Sequence, residues 1–346
     1  MNIEKKIIGH LNKCYSMARL TLNNQDRLLV AAEKKDPCFL FDQKGNQLET
    51  VWDGPGGVMT MQQIPGRDGE FLATQKFYSP NDSKEAYIAY VRKDENGQWI
   101  ISRLADTPFV HRFGMMDGWL IICCLKSGHE YKNDWSMPGA VYAARLPEDF
   151  TKEITPVLLK DGLLKNHGFS ITEANGKKQA VVGTENGTLL FTPPVHGDQW
   201  EIETISAVPS SDSILLDLDG DGQPELGTIA PFHGNAVTIW HLDEHGNYVP
   251  QWKLPLPEAD TEMVHATWAG QLLDKPVWAV GWRKGTRNSI IISWNEQAGR
   301  YEFEYLDKNA GAANFLHFVN EQGEDVIMAA NREIDEIAMY TIKEEK

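Results

Sequence analysis

Two sets of residues in this 346-residue sequence have types and spacings suited to chemistry. The first is the stretch Ile214–Leu226, where Asp217, Asp219, Asp221 and Glu225 crowd around Gly220 and Gly222. Oxygen ligands on a tightly turning backbone are what a hard cation such as Ca²⁺ requires. So many carboxylates repel one another unless a cation or hydrogen-bond donors neutralise them; the alternative is a solvated acidic turn. The spacing is that of an EF-hand loop, but the flanks are not helical. Ser213–Leu216 and Leu226–Ala230 are short, apolar and bounded by turn residues, which predicts strands.

The second set is His111, His167 and His265. Neutral imidazole is a ligand for zinc, manganese, iron or nickel, but three histidines this far apart matter only if the fold brings them together. That question turns on repeats. Seven times the chain shows a short strand, a turn, an apolar strand, a polar loop and a third strand rich in aromatic and aliphatic residues, usually with a fourth behind it. The first three copies begin at Tyr15–Leu20, Met59–Gln63 and His111–Met115, the third carrying a polar insertion at Lys126–Pro138. The fourth begins at His167–Ile171, the fifth holds the acidic turn, and the last two begin at His265–Ala269 and Asn314–Phe318. Turn signals such as Lys44-Gly45-Asn46, Glu95-Asn96-Gly97 and Asn175-Gly176 separate the strands. Tyr15, Thr60, His111, His167, Ser213, His265 and Asn314 then form one column with a period of about 50 residues, in the range of propeller blades. The predicted fold is an all-β, seven-bladed β-propeller occupying residues 1–346 as a single domain. The seventh copy stops after its third strand, and an open edge of that kind invites aggregation. The segment Ile3–His10 is predicted to supply the missing strand and close the ring.

In such a meander the starts of the first strands and the loops between second and third strands share one face. The column therefore aims three imidazoles at the mouth of the central channel, with the acidic turn on the opposite face. Either these histidines bind a transition metal such as Zn²⁺ or Mn²⁺, or they fill the channel by hydrogen bonding to neighbouring loops. Further polar residues are predicted on the same face: His129, Glu130, Tyr131 and Lys132; Glu185 and Asn186; His233; Arg283, Lys284 and Arg287; and Asn331, Arg332 and Glu333. Together they make a locally basic mouth on a protein of formal net charge -16, suited to a polar or anionic small molecule, above all a carbohydrate. His10, His196, His241, His245 and His317 lie off the column and are expected to be structural or superficial.

The acidic balance argues against a nucleic-acid partner, which would call for clustered Lys and Arg. No run approaches the roughly 20 apolar residues of a membrane span, so no membrane partner is expected, and the polar start of the chain predicts a cytoplasmic protein. Cys14, Cys38, Cys123 and Cys124 form no zinc spacing and are expected to be buried thiols.

The chain resembles the FG-GAP/VCBS-type propellers through the acidic turn Asp217–Glu225. With Pro-Phe-His-Gly-Asn at 231–235, Gly-Ala-Ala-Asn at 311–314 and Ala-Ala-Asn-Arg-Glu at 329–333, it is similar to the propeller portion of the aldos-2-ulose dehydratase/isomerase group. That resemblance implies a structural Ca²⁺ held by Asp217, Asp219, Asp221 and Glu225. It also implies a metal-assisted lyase, dehydratase or isomerase acting on a sugar acid or ketosugar. His129, His233 or Tyr131 would serve as acid or base, and Arg283 or Arg287 would hold an anionic group. The rival expectation is a non-catalytic propeller that binds a small molecule or a protein partner.

Overall fold

The structure is a computed structural model that describes residues 1–174, 176–255 and 261–345. Its strands form seven antiparallel four-stranded sheets, and the innermost strands of successive sheets touch to make a ring. This is a seven-bladed β-propeller. The innermost strands are Cys14–Leu22, Met61–Gln63, Val110–Met116, Gly168–Ala174, Asp212–Leu216, Thr261–Leu272 and Asn314–Val319. The column read from the sequence lies within one residue of the start of each, except that His265 is the fifth residue of its strand.

Ring closure is as expected. Asn2–His10 pairs antiparallel with Glu336–Lys343, from Asn2 opposite Lys343 to His10 opposite Glu336. It thus becomes the outermost strand of blade seven, in the order Asn2–His10, Glu336–Lys343, Asp325–Asn331, Asn314–Val319. Lys5 reinforces the join by pairing with Asp307 and Glu336, each at 2.8 Å.

The second and third strands of each blade carry continuous apolar runs because both faces are covered by neighbouring blades. Trp119–Lys126 is buried along its whole length. One apolar cluster joins Leu20, Leu29 and Leu40 of blade one to Phe71 and Val91 of blade two; another joins Ile214, Ile229 and Ile239 of blade five to Trp278 and Ile290 of blade six. The outer strands Gln47–Trp52 and Val157–Leu163 complete blades one and three. Their polar, largely exposed sequences carry too little apolar alternation to be recognised from the sequence.

One turn chemistry recurs. The side-chain oxygens of Asp42, Asp94, Asp243 and Asn320 each accept the backbone N–H groups two and four residues on. Gly45, Gly97, Gly246 and Gly323 supply the left-handed position each turn needs. The Asn175-Gly176 turn lies partly outside the described residues. All four cysteines are buried and unpaired. No described helix is long and apolar enough to cross a membrane.

Candidate functional site at the channel mouth

Local irregularities aim the side chains that meet at the mouth. Strand pairing skips Tyr15, passing from Cys14 opposite Ala32 to Ser16 opposite Ala31. It skips His111 between Val110 and Arg112, and His265 between Val264 and Ala266, in the same way. An extra residue of this kind leaves the ladder and redirects its side chain. His167 is placed differently, by the glycine after it. A Cβ on Gly168 would lie 2.4 Å from the Ser211 carbonyl oxygen and 2.5 Å from the Asp212 Cα, so only glycine lets blade four approach blade five this closely. That approach carries His167 Nδ1 to 2.9 Å from the Asp212 carboxylate. His233 comes from the loop between the second and third strands of blade five. Its backbone is left-handed, with φ of 55°, and the loop is tied to blade six by the Val264 N–H donating to the Gly234 carbonyl at 3.1 Å.

The four imidazoles form one cluster. The His167 ring centre lies 4.2 Å from those of His111 and His233 and 5.3 Å from that of His265, and His233 stacks on His265 at 4.6 Å. His167, His233 and His265 each offer a ring nitrogen, all within 4.8 Å of one another. His111 stands just outside this triad, against Tyr15 and the edge of Phe77. Two of the three column histidines therefore meet the loop histidine. His111, His167 and His265 are 4%, 1% and 2% exposed, while His233 is more open.

Hydrogen bonds assign the protons. His265 Nδ1 lies 2.8 Å from the Ala313 carbonyl, so it is the protonated nitrogen, and Nε2 accepts from the Tyr15 hydroxyl at 3.0 Å. His167 donates from Nδ1 to Asp212, which leaves Nε2 bare. His167 Nε2, His111 Nδ1 and His233 Nδ1 are buried and have no hydrogen-bond partner. An unsatisfied buried polar atom costs about 1–3 kcal/mol, so three in one cluster make this a candidate site.

Burial pushes His111, His233 and His265 well below the usual histidine range, and positive neighbours, including Arg112, push the same way. These three rings are neutral and hold lone pairs. Burial alone would raise the Asp212 carboxyl, but His167 overrides it and holds the group below the usual carboxylate range. Burial lifts the Tyr15 phenol to about 12. Arg283 is buried and donates to Glu333 at 2.7 Å. Among the described residues Arg112 bonds neutral acceptors, the Met59 carbonyl at 2.9 Å and Asn314 Oδ1 at 3.1 Å. Phe232 packs on His167 and on Trp135 and forms an apolar wall.

The remaining residues predicted for this face have other surroundings. His129 meets Phe109 edge-on, and Tyr131 is 66% exposed. The Arg287 carbonyl accepts the N–H groups of Ala310 and Gly311. Glu130 and Lys132 are exposed. Glu185 pairs with Lys165, and Asn186 accepts from the Leu164 amide at 2.8 Å. Arg332 pairs with Glu33 and Glu333, and Asn331 is buried against Glu336 and Tyr340. Four residues of the cluster were not picked out as functional from the sequence: Tyr15, Asp212, Arg112 and Phe232. Tyr15 stood in the column, and Asp212 and Arg112 adjoin column residues, which was the available signal.

The acidic turn joins the first two strands of blade five, and its ligand-type atoms also cluster: oxygens of Asp217, Asp219, Asp221 and Glu225 lie within 4.8 Å of one another. Backbone amides already occupy many of these oxygens. Asp217 accepts from Gly220 and Gly222, Asp219 from Asp221, Asp221 from Gln223, and Glu225 from Leu218 and Asp219. Burial, with the Asp219 and Asp217 charges adding to it, raises the Glu225 carboxyl to about 7. His241, expected to be structural, stands beside the turn, 3.6 Å from Asp219 and 2.7 Å from the Tyr301 hydroxyl.

No protein-family profile and no curated protein sequence matches the chain. Similar solved structures share its fold. The Myceliophteria thermophila Cps50 (Swd1) β-propeller domain has a TM-score of 0.60 at 9% identity, with 99% of this chain and 100% of that one covered. The Dos1 propeller has 0.55 at 10% identity, covering 97% and 82%. A streptogramin B lyase has 0.54 at 13% identity, covering 99% of each chain. At such identities the likeness is one of fold alone.

Proposed function

We propose that His167, His233 and His265 hold a divalent transition metal such as Zn²⁺ or Mn²⁺. We further propose that the mouth performs metal-assisted proton transfer on a polyhydroxylated, anionic small molecule, as a carbohydrate lyase, dehydratase or isomerase. The observation that carries this reading is the convergence of His167, His233 and His265, each with a ring nitrogen within 4.8 Å of the others and two of those rings with an unpartnered nitrogen. Three imidazoles with a further position open is a known catalytic arrangement for zinc. A cation held there would supply Lewis acidity to a substrate carbonyl or carboxylate beside the carbon that loses a proton.

The protein's own groups account for the rest. His111, with Nδ1 bare, is placed to take a proton, and the Tyr15 hydroxyl, bonded to His265, is placed to return one. The spare N–H groups of Arg112 and Arg283 suit a carboxylate or phosphate on the substrate. Charge favours an anion too: Arg283 and Arg332 are matched by Glu33 and Glu333, and Arg112 by Asp212, so a dication would leave positive charge for the ligand to balance. His129, Tyr131 and Arg287, outside the cluster, fit roles in substrate entry better than in proton transfer.

The acidic turn belongs to the same proposal as a structural calcium loop. Its place between the first two strands of a blade supports kinship with FG-GAP/VCBS propellers and the aldos-2-ulose dehydratase/isomerase group. The name of the streptogramin B lyase agrees with the reaction class only through a shared fold. A non-catalytic scaffold is the second reading, favoured by the near-complete burial of three of the four imidazoles.

Metal analysis of protein purified without chelator separates the two. A stoichiometric transition metal, lost in His167→Ala, with carbonyl or unsaturated products from a panel of sugar acids and ketosugars, supports the enzyme. Calcium alone, released by Asp219→Ala, with no turnover across the panel, supports the scaffold.

A further inference from the structure

Of the three imidazoles in the triad, two are held from behind and one is not. His265 is fixed by a neutral acceptor, the Ala313 carbonyl, and His233 rides on a loop with Nδ1 unpartnered. Only His167 is backed by a carboxylate, and both members of that pair are almost fully buried. We infer that Asp212 is a positioning residue that locks His167 in its Nδ1–H tautomer and strengthens the Nε2 lone pair as the anchoring metal ligand. This rests on the metal reading proposed above.

The geometry allows little else. The 2.9 Å contact sets an acceptor against Nδ1, so a neutral His167 carries its proton there and keeps its lone pair on Nε2, the nitrogen that lacks a partner. Ring flipping is opposed by the packing of His111, Phe232 and His233 around the imidazole. The carboxylate in turn is fixed by the close approach of blades four and five at Gly168. Carboxylate–histidine–metal chains of this form raise ligand basicity, and loss of the outer carboxylate weakens metal affinity about 10–100-fold. A merely structural Asp212 would affect stability and leave affinity unchanged.

The test is a Co²⁺ titration of the full chain, wild type and Asp212→Asn, read by visible absorbance, with melting temperatures recorded for both. Asparagine still accepts the Nδ1–H bond but lacks the charge. A Co²⁺ affinity lowered about 10–100-fold in a folded variant is expected. Wild-type binding with an Asp212→Asn affinity within twofold overturns the inference and leaves the metal reading intact. Failure of the wild type to bind Co²⁺ overturns the metal reading itself. A second measurement needs no variant. Long-range ¹H–¹⁵N correlation of histidine-labelled protein should show His167 as the Nδ1–H tautomer, and an Nε2–H signal for His167 overturns the inference even if the variant does not fold.

Discussion

The channel mouth and the acidic turn of blade five both gather ligand-type atoms within 4.8 Å, yet they differ in what those atoms already do. In the turn, carboxylate oxygens accept backbone N–H groups supplied by the turn itself, with glycines bending the chain to present them. Much of its hydrogen-bonding capacity is taken up, and what a cation would add is relief of the charge crowding that helps raise Glu225. At the mouth, His167 Nε2 and His233 Nδ1 in the triad, and His111 Nδ1 beside it, have no hydrogen-bond partner, in a part of the protein where water is largely excluded. The lesson is that density of ligand residues along a sequence is a poor measure of a site. Unsatisfied atoms gathered in one place are the better one, because most buried polar atoms of a folded protein find a partner.

The largest expected effect tests whether the contrast depends on the closed ring. Deleting residues 1–9 removes the outermost strand of blade seven, exposes the Glu336–Lys343 edge and breaks the Lys5 pairs. The melting temperature should fall by on the order of 10 °C or more, given ~2–4 °C per kcal/mol for chains of 150–250 residues. An unchanged melt would mean that the ring is held by its apolar inter-blade clusters alone.

Next in size is the metal response of the two regions. His167→Ala and His265→Ala should each lower Co²⁺ affinity by about 100-fold or more, since each removes a direct ligand. Asp219→Ala should leave Co²⁺ binding unchanged and abolish thermal stabilisation by Ca²⁺. Equal loss of Co²⁺ in Asp219→Ala would erase the distinction between the two regions.

A pH scan sharpens the same contrast from the turn's side. Glu225 titrates at about 7 in the folded protein against an ordinary 4.5, so the native turn binds its proton more tightly than the unfolded chain does. That contribution is complete below about 4.5 and is lost as pH rises through 7. In calcium-free protein, stability should therefore decline between these limits by up to about 3 kcal/mol, at 1.36 kcal/mol per pKa unit. Glu225→Gln should flatten the decline. Added Ca²⁺ should offset it above pH 7, and a profile indifferent to both changes would place the titration elsewhere.

The fold was legible because strand runs, turns and the column repeat with one period, and each blade must satisfy the same packing. The site was legible only in part. His167, His233 and His265 stood out by residue type, and the face shared by the column and the second-to-third loops follows from the meander. Their sorting into a triad with His111 outside does not follow, because it depends on bulges at His111 and His265 and on how far a loop residue in left-handed backbone reaches. Asp212 was hidden for a related reason. One residue from the expected column position, it reaches His167 only because Gly168 lets two blades touch.

The smallest expected effect bears on how bare the mouth is. Tyr15→Phe keeps the ring beside Arg112 but removes the hydroxyl that bonds His265 Nε2. Loss of one buried hydrogen bond should lower stability by about 1 kcal/mol, seen as a melting temperature down by ~2–4 °C. For metal binding the sign is the opposite. In the wild type the hydroxyl occupies the lone pair that His265 would give a cation, so removing this competitor should leave Co²⁺ affinity equal or a few-fold higher. A drop of tenfold or more would show that the phenol itself is a ligand. The mouth would then be a site of three nitrogens and one oxygen, with Tyr15 no longer available to return a proton and His111 left as the group that moves it.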